Sequence, residues 1–304
     1  MKLTTLQKAI FALIIANIIW GAAAPIFKWS LESTPPFTLA VLRFGLSTLL
    51  VLPFVKGKFK IYPKDFLAVF IIALTGITIN ISFFFLGLEF SDSINAPIIA
   101  SSAPLFIILF GFLFLKDKLH KKTIIGGLIG LLGVLVIVVI PSIEKGFDTS
   151  LLGNVFFILA MFGSVISAIL LKKIIKRYDP ITLVFWSFLI GTVGFLPMFF
   201  DEIQRVGFLP IVNSQVIIGI LFGAFLSSGV GYYLHTWAIK YMPVEDVGLF
   251  VYMDPVVAIL VAYPLLGETP NVHFVIGSVL VFLGIFVAEG RLHYHPFHKL
   301  IKKR

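Results

Sequence analysis

The sequence predicts an all-α integral membrane protein, with ten transmembrane helices arranged as two inverted five-helix repeats. Three observations lead there: the composition, the spacing of apolar runs and an internal repeat. Of 304 residues, 59% are hydrophobic and 13% charged, and the mean hydropathy is +1.06. A soluble domain carries about 25% charged residues. This chain cannot coat a water-facing surface of ordinary size, so its apolar residues must face lipid. No cysteine is present, which removes disulfides, thiolate metal sites and cysteine nucleophiles together. A net charge of +9 would suggest nucleic acid in a soluble chain. Here its placement reads as membrane orientation, and no nucleic-acid partner is expected.

Crossing a hydrocarbon core of roughly 30 Å takes about 20 helical residues. Apolar segments of that order fall at 9–28, 36–55, 66–88, 94–115, 122–140, 152–171, 180–200, 213–238, 244–266 and 272–290. The first follows Lys2 and Lys8 and contains Ala22-Ala23-Ala24, which looks like a cleavable signal. Pro25 is a poor residue at a cleavage point and the run has a counterpart in the second half, so it reads as a retained span. Turn residues and charges separate most spans, as at Pro35-Pro36, from Pro53 to Pro63 and at Tyr178-Asp179-Pro180. Only Glu89, Ser91 and Asp92 divide the third from the fourth.

Charge sets the expected orientation. With the N-terminus inside, cytoplasmic segments hold 20 Lys and Arg residues, outer segments hold Lys28, Lys145 and Arg205, and Arg43 lies within a span. The positive-inside rule then places both termini in the cytoplasm of a multi-pass cell (plasma or inner) membrane protein. An even number of spans is required, and ten satisfies it.

The repeat divides the chain. Pro36 and Pro53 recur as Pro180 and Pro197, shifted by 144 residues. Pro104, Asp117, Gly126 and Gly133 recur as Pro255, Glu268, Gly277 and Gly284, shifted by 151, with the extra seven residues in the loop around 201–212. The expected units are 1–141, 152–290 and a basic cytoplasmic tail at 291–304. Five spans per unit is odd, so the halves insert oppositely, an arrangement that puts a substrate site near midplane at the repeat interface.

These residues resemble the drug/metabolite transporter superfamily, specifically EamA-like exporters with two five-helix domains. Trp20-Gly21 followed by Lys28 is similar to the family's first-helix pattern, Arg43-Phe44 to its second-helix arginine, and Met253-Asp254-Pro255 to an acidic residue-proline step in the ninth helix. Leu266-Gly267-Glu268 matches the short motif that follows. The first half departs with Lys116-Asp117 in place of Gly-Glu, and the sixth span has Phe162-Gly163 in place of Trp-Gly. The resemblance implies a secondary transporter exporting amino acids, other metabolites or toxic compounds.

Polar residues inside the spans are the site candidates, because a charge at a helix centre costs about 2.5–3.5 kcal/mol on insertion scales. Asp254 lies about 15 Å deep, near midplane, and Pro255 after it frees a backbone carbonyl. It reads as a proton carrier or counter-ion to a substrate amine, with a structural aspartate held by neighbouring helices as the alternative. Arg43 lies about 10 Å below the outer face and has three open readings: a pair with Asp254, a carboxylate receptor, or a side chain reaching out to the interface. Lys28 is shallower and fits an interfacial lysine. Trp20 and Asn80 fall at middle depth, where Asn80 serves either substrate or helix packing, as does Asn17. Tyr232 and His235 lie toward the inner end of the eighth span with Trp237, in a cavity or in an interfacial aromatic belt. The 33 phenylalanines read as lipid-facing filler. Gly126, Gly130, Gly133, Gly277 and Gly284 suggest close helix approach first and a homodimer contact second.

No Gly-rich Lys-Ser/Thr phosphate loop appears, so no ATP engine is expected. His-Glu-x-x-His and Gly-x-Ser-x-Gly are also missing, and one histidine lies within a span, so neither an enzyme, a metal site nor a cofactor is expected. The expected partners are the bilayer and a small-molecule substrate with proton coupling. The alternative is a passive facilitator or channel for small solutes.

Overall fold

The computed structural model describes residues 4–106, 121–145, 149–207, 213–242 and 244–289. Every regular element among them is helical. We number them α1 (Thr5–Leu31), α2 (Pro36–Val55), α3 (Pro63–Phe90), α4 (Asn95–Ala100), α5 (Lys121–Val138), α6 (Ile140–Lys145), α7 (Thr149–Arg177), α8 (Pro180–Val206), α9 (Ser214–Tyr241), α10 (Asp246–Leu266) and α11 (Val272–Glu289). Seven of these, α1, α2, α3, α7, α8, α9 and α10, are long and apolar enough to cross a bilayer, and α5 and α11 carry shorter apolar stretches. The expected fourth span, 94–115, lies partly outside the described residues, as do Lys116-Asp117 and the basic tail.

Local chemistry sets the helix ends. Thr4 and Gln7 form a reciprocal capping box at the start of α1. Pro36 and Pro180 occupy the first turns of α2 and α8, where a missing N–H costs nothing. Asp179 and Asn213 cap α8 and α9 through their side chains. The free amides of α2 at Phe37 and Thr38 donate to the Glu202 carboxylate of α8, at 2.9 and 2.7 Å. Gly267 ends α10 with φ 69°, a left-handed conformation that favours glycine.

Two interruptions fall at matching places. The third span of each half winds as a π-helix, over Leu74–Ile79 in α3 and Phe222–Tyr232 in α9. Shifting the first by 151 residues gives 225–230, inside the second. Ser101 and Ser102 form a turn before a helix resumes at Ala103-Pro104, and a 3-10 turn over Leu249–Met253 precedes Asp254-Pro255. The same shift takes Ala103-Pro104 onto Asp254-Pro255.

The exterior is apolar, with Leu49, Phe54, Leu67 and Leu260 exposed, while Phe27, Phe44, Phe85, Phe188 and Phe195 are buried. The phenylalanines therefore divide between lipid-facing and core positions. α2 packs on α8 and α5 on α11; α3 packs on α7 and α9 on α1; α10 packs on α1 and α4 on α7. Exchanging α1–α5 for α7–α11 turns this pattern into itself. The α5–α11 pair is close because it is built on glycine: a Cβ at Gly133 would come 2.6 Å from the Gly277 carbonyl oxygen, and one at Gly284 2.5 Å from that of Gly126.

Polar contacts gather at the two ends of the bundle. At one, Lys28 pairs with Glu268 at 2.8 Å and with Asp92 at 3.7 Å. There Gln215 of α9 also meets Ser33, at 2.6 Å. At the other, Lys58 pairs with Asp179 and Arg177 with Asp65, each at 2.6 Å, and Lys240 donates to the Tyr178 carbonyl. α1, α3, α8 and α10 run toward the Lys28 end; α2, α7 and α9 run toward the Asp179 end. Lys58 and Asp179 lie outside the spans. The hydrogen bond that the Lys58 ammonium donates to the Asp179 carboxylate raises the Lys58 pKa above its ordinary value. Partial burial opposes ionisation of Asp179, but the bonds from Lys58 and the Ile181 N–H outweigh it and hold the carboxyl below the usual carboxylate value.

Candidate functional site

A cavity of about 290 Å³ lies between the halves. It is lined from α1 (Trp20, Phe27), α2 (Arg43), α3 (Asn80, Phe84), the α4 region (Pro104), α7 (Phe157, Ser164), α9 (Ser227, Tyr232, His235) and α10 (Asp254). Its volume is near the lower end of the roughly 300–1,000 Å³ usual for small-ligand pockets, the scale of a small metabolite. Toward the Asp179 end it reaches Ile72, Leu171, Leu183, Ile239 and Val247. Toward the Lys28 end the rings of Phe27, Phe84, Phe85 and Phe157 meet at centroid distances of 5.2 to 6.4 Å. Beyond that aromatic plug sits the Lys28 cluster.

Six of the seven site candidates, Trp20, Arg43, Asn80, Tyr232, His235 and Asp254, therefore share one cavity. Lys28 does not. Its ammonium is held by Glu268, Asp92 and the Ser91 carbonyl.

Asp254 opens the α-helical part of α10, directly after the 3-10 turn, with Pro255 in the first turn. It is 8% exposed, and its Oδ1 is buried with no hydrogen-bond donor among the described residues. Gly21 lets α1 pass against its backbone: a Cβ there would lie 2.9 Å from the Asp254 carbonyl oxygen. The Trp20-Gly21 pair thus places two things at once, because the Trp20 indole N–H donates to the Ser227 carbonyl at 3.0 Å. The same indole packs against Tyr232 and His235, at 5.3 and 4.9 Å between centroids. Tyr232 and His235 therefore face the cavity, and an interfacial belt does not describe them.

Arg43 corrects an expectation. Among the described residues it makes no ion pair with Asp254, and at 2% exposure it does not reach out to the interface. Its Nε donates to Ser228 and its Nη2 to Ser227, both at 2.9 Å. The guanidinium lies 4.5 Å from the ring centroids of both Phe27 and Phe44. Its Nη1 is buried with no hydrogen-bond partner among the described residues. The Asn80 amide donates to the Ala160 carbonyl at 2.6 Å, a helix-to-helix bond from a residue that also lines the cavity. Asn17 bonds within its own helix, to the Leu13 carbonyl. Sequence reasoning passed over Ser227 and Ser228, although two adjacent hydroxyls inside an apolar span are a readable signal.

A bundle of apolar helices around a small cavity with charged lining residues defines a multi-pass membrane protein built to receive a solute. The sequence profile of the EamA-like transporter family matches it twice, over residues 7–139 and 151–289. The chain belongs to the EamA-like transporter family, carries two of its repeats, and is a transporter. Similar proteins include two uncharacterized transporters of Archaeoglobus fulgidus. One is 25% identical, over 94% of this chain and 99% of its own length; the other is 29% identical, over 92% and 98%. The uncharacterized transporter YyaM of Bacillus subtilis is 28% identical, over 90% of this chain and 91% of its own. A crystal structure with 18% identity superposes with a TM-score of 0.67, covering 94% of this chain and 98% of its own, and so shares the fold.

Proposed function

We propose that this transporter is a secondary exporter of amino acids or other small metabolites, working by alternating access between two oppositely inserted five-span halves. The observation that carries this is the cavity between the halves, lined by both Asp254 and Arg43, each of which keeps a buried polar atom with no hydrogen-bond partner among the described residues. Opposite insertion is supported by α1 and α7, α2 and α8, and α3 and α9, each pair running in opposite directions. The matched π-helices and the matched breaks before Ala103 and Asp254 support it too, because broken helices at corresponding positions mark transporter sites. The charge asymmetry supports a cell-membrane orientation with the Asp179 end and both termini cytoplasmic. The plug and the Lys28 cluster would then close the outer side.

Energy comes from an ion gradient in this reading, and Asp254 is the coupling residue. A buried carboxyl without a donor is completed by a proton or by a substrate ammonium. Moving one charge through 100 mV is worth about 2.3 kcal/mol, enough for roughly fifty-fold accumulation per proton. The test is uptake into proteoliposomes of a mixed pool of amino acids and metabolites, read by mass spectrometry with and without a pH gradient. The wild type is expected to concentrate a solute and Asp254→Asn only to equilibrate it. If Asp254→Asn retains full gradient dependence, coupling lies elsewhere. Transport that never concentrates its solute would establish a passive facilitator instead.

A further inference from the structure

We infer that Arg43 is a preformed carboxylate receptor, so that the solute carried by this protein bears a carboxylate seated on Nη1 of Arg43. The inference rests on the reading that the cavity between the halves is the substrate site. A guanidinium has five N–H donors in a rigid plane. Here two of those donors are taken, with Ser228 and Ser227 accepting from Nε and Nη2, and the rings of Phe27 and Phe44 lie 4.5 Å from its centre. The stem is fixed as well, since the bare backbone of Gly223 leaves it room; a Cβ there would come 2.9 Å from Cγ and Cδ of Arg43. What remains is the second hydrogen of Nη2 and the whole Nη1 NH₂ group, which is buried with no partner among the described residues, on a residue that lines the cavity.

No anion among the described residues pairs with it. The hydrogen-bond partners of the guanidinium are neutral hydroxyls, and a buried charge is normally paired. Two aromatic faces stabilise a cation without neutralising it. The countercharge is left to the ligand. A carboxylate suits the seat better than a phosphate dianion, because Arg43 is the one Lys or Arg among the described lining residues and Asp254 is already there as a carboxyl. A second negative charge on the ligand would find no second cation among the described lining residues. An ammonium on the same ligand would find Asp254.

Counterflow in proteoliposomes tests this without any driving gradient. The pool combines α-amino acids, their methyl esters, the amines lacking the carboxyl group, and hydroxy and keto acids. Species that exchange are expected to carry a free carboxylate, with the matched esters and amines left behind. Arg43→Gln is expected to lower apparent affinity for those species by about ten- to a hundredfold, the usual worth of a hydrogen bond to a charged group. Arg43→Lys is expected to fall between. Should Arg43→Gln fail to fold, Ser227→Ala with Ser228→Ala frees the plane while keeping the charge and is expected to weaken carboxylate exchange severalfold. Exchange of esters or amines as readily as their parent acids would overturn the inference. So would unchanged carboxylate exchange in folded Arg43→Gln or in the double serine variant, or no exchange of any carboxylate in the pool. Carboxylate-selective exchange without gradient-driven accumulation would remove the coupled-transport reading and leave this one standing.

Discussion

Gly21 lies against Asp254 so closely that a single added carbon would strike its backbone. A Cβ at Gly21 would come 2.7 Å from Cβ of Val257 and 2.9 Å from the Asp254 carbonyl oxygen. The α1–α10 crossing thus sets where the Asp254 carboxyl stands. Replacing a helical glycine by alanine ordinarily gains about 0.5–1 kcal/mol, whereas forcing an extra carbon into a packed core costs about 1–3 kcal/mol. Here the second effect wins, and Gly21→Ala is expected to lower the thermal unfolding midpoint in detergent by several degrees. Gly127, whose Cβ would meet nothing within 4 Å, is the control: Gly127→Ala should leave the midpoint unchanged or raise it. Equal behaviour of the two variants would remove the close approach as an explanation.

Glu268 ties α10 to the start of α4. Its carboxylate accepts from the Ser93 N–H, the Ser93 hydroxyl and the Ile94 N–H, at 3.0, 2.7 and 3.2 Å, and pairs with Lys28. Glu268→Gln keeps an oxygen acceptor and removes the charge. With Lys28 one-quarter exposed, solvent screening trims the loss to about 1 kcal/mol, enough to admit solutes from this end severalfold more often. Because the chain has no cysteine, Ala24→Cys in the cavity wall gives a single reporter. Its labelling by a membrane-impermeant maleimide from the Lys28 side should accelerate when Glu268→Gln is added; an unchanged rate would show that the aromatic plug alone seals this end.

Much of this fold was legible because membranes penalise polar groups, so each exception to hydropathy stands out. Arg43 and Asp254 were found that way, and the α5–α11 glycines by their spacing. The glycines also show why inspection of sequence works for helix approach: a missing Cβ is a local fact with a local consequence. What could not be read was pairing across the chain. Arg43 and Asp254 fall at similar depth, yet hydroxyls from α9 intervene and take the guanidinium. Serines escape a hydropathy search because a hydroxyl can satisfy itself on its own helix, as Ser47 and Thr48 do. The π-helical turns that aim Ser227 and Ser228 leave no mark in composition. Glu202 capping α2 from 165 residues away is legible only once α2 and α8 are known to be neighbours.

The Lys58–Asp179 pair predicts an acid-side weakness. Asp179 is held below the usual carboxylate value, so its contribution is fully present above the unfolded carboxylate pKa, about 3.9. It is lost as pH falls through the lower folded value. The Lys58 shift is upward and acts at the opposite extreme, its contribution fading only as pH rises past the ordinary lysine value. Asparagine caps a helix nearly as well as aspartate, so Asp179→Asn removes the charge while keeping the cap on α8. The stability gap between wild type and Asp179→Asn is expected to be constant near neutrality and to close below about pH 4. Asp179→Ala should lie a further 0.5–2 kcal/mol lower at every pH. Unfolding midpoints across pH 3 to 8, roughly the carboxylate titration range, provide the check; a gap that persists in acid would mean the pair contributes nothing through its charge.

Trp20 separates hydrogen bonding from packing at the cavity wall. Its indole N–H reaches the carbonyl of Ser227 while its ring covers Tyr232 and His235. The hydroxyl of that same serine holds Nη2 of Arg43. Trp20→Phe keeps most of the ring and deletes the donor, which should destabilise by about 1 kcal/mol and loosen Ser227. Because Ser227 fixes the plane of the guanidinium, this change is expected to raise the half-saturation concentration for counterflow severalfold while leaving the maximal rate nearly intact. Trp20→Ala also empties a large side-chain volume, for which a cost of about 3–5 kcal/mol is usual, and its damage should fall on thermal stability first. Phenylalanine performing as badly as alanine in the unfolding assay would assign Trp20 to packing alone. Phenylalanine matching tryptophan in both assays would mean that the Ser227 carbonyl needs no partner and that Arg43 is oriented without help from α1.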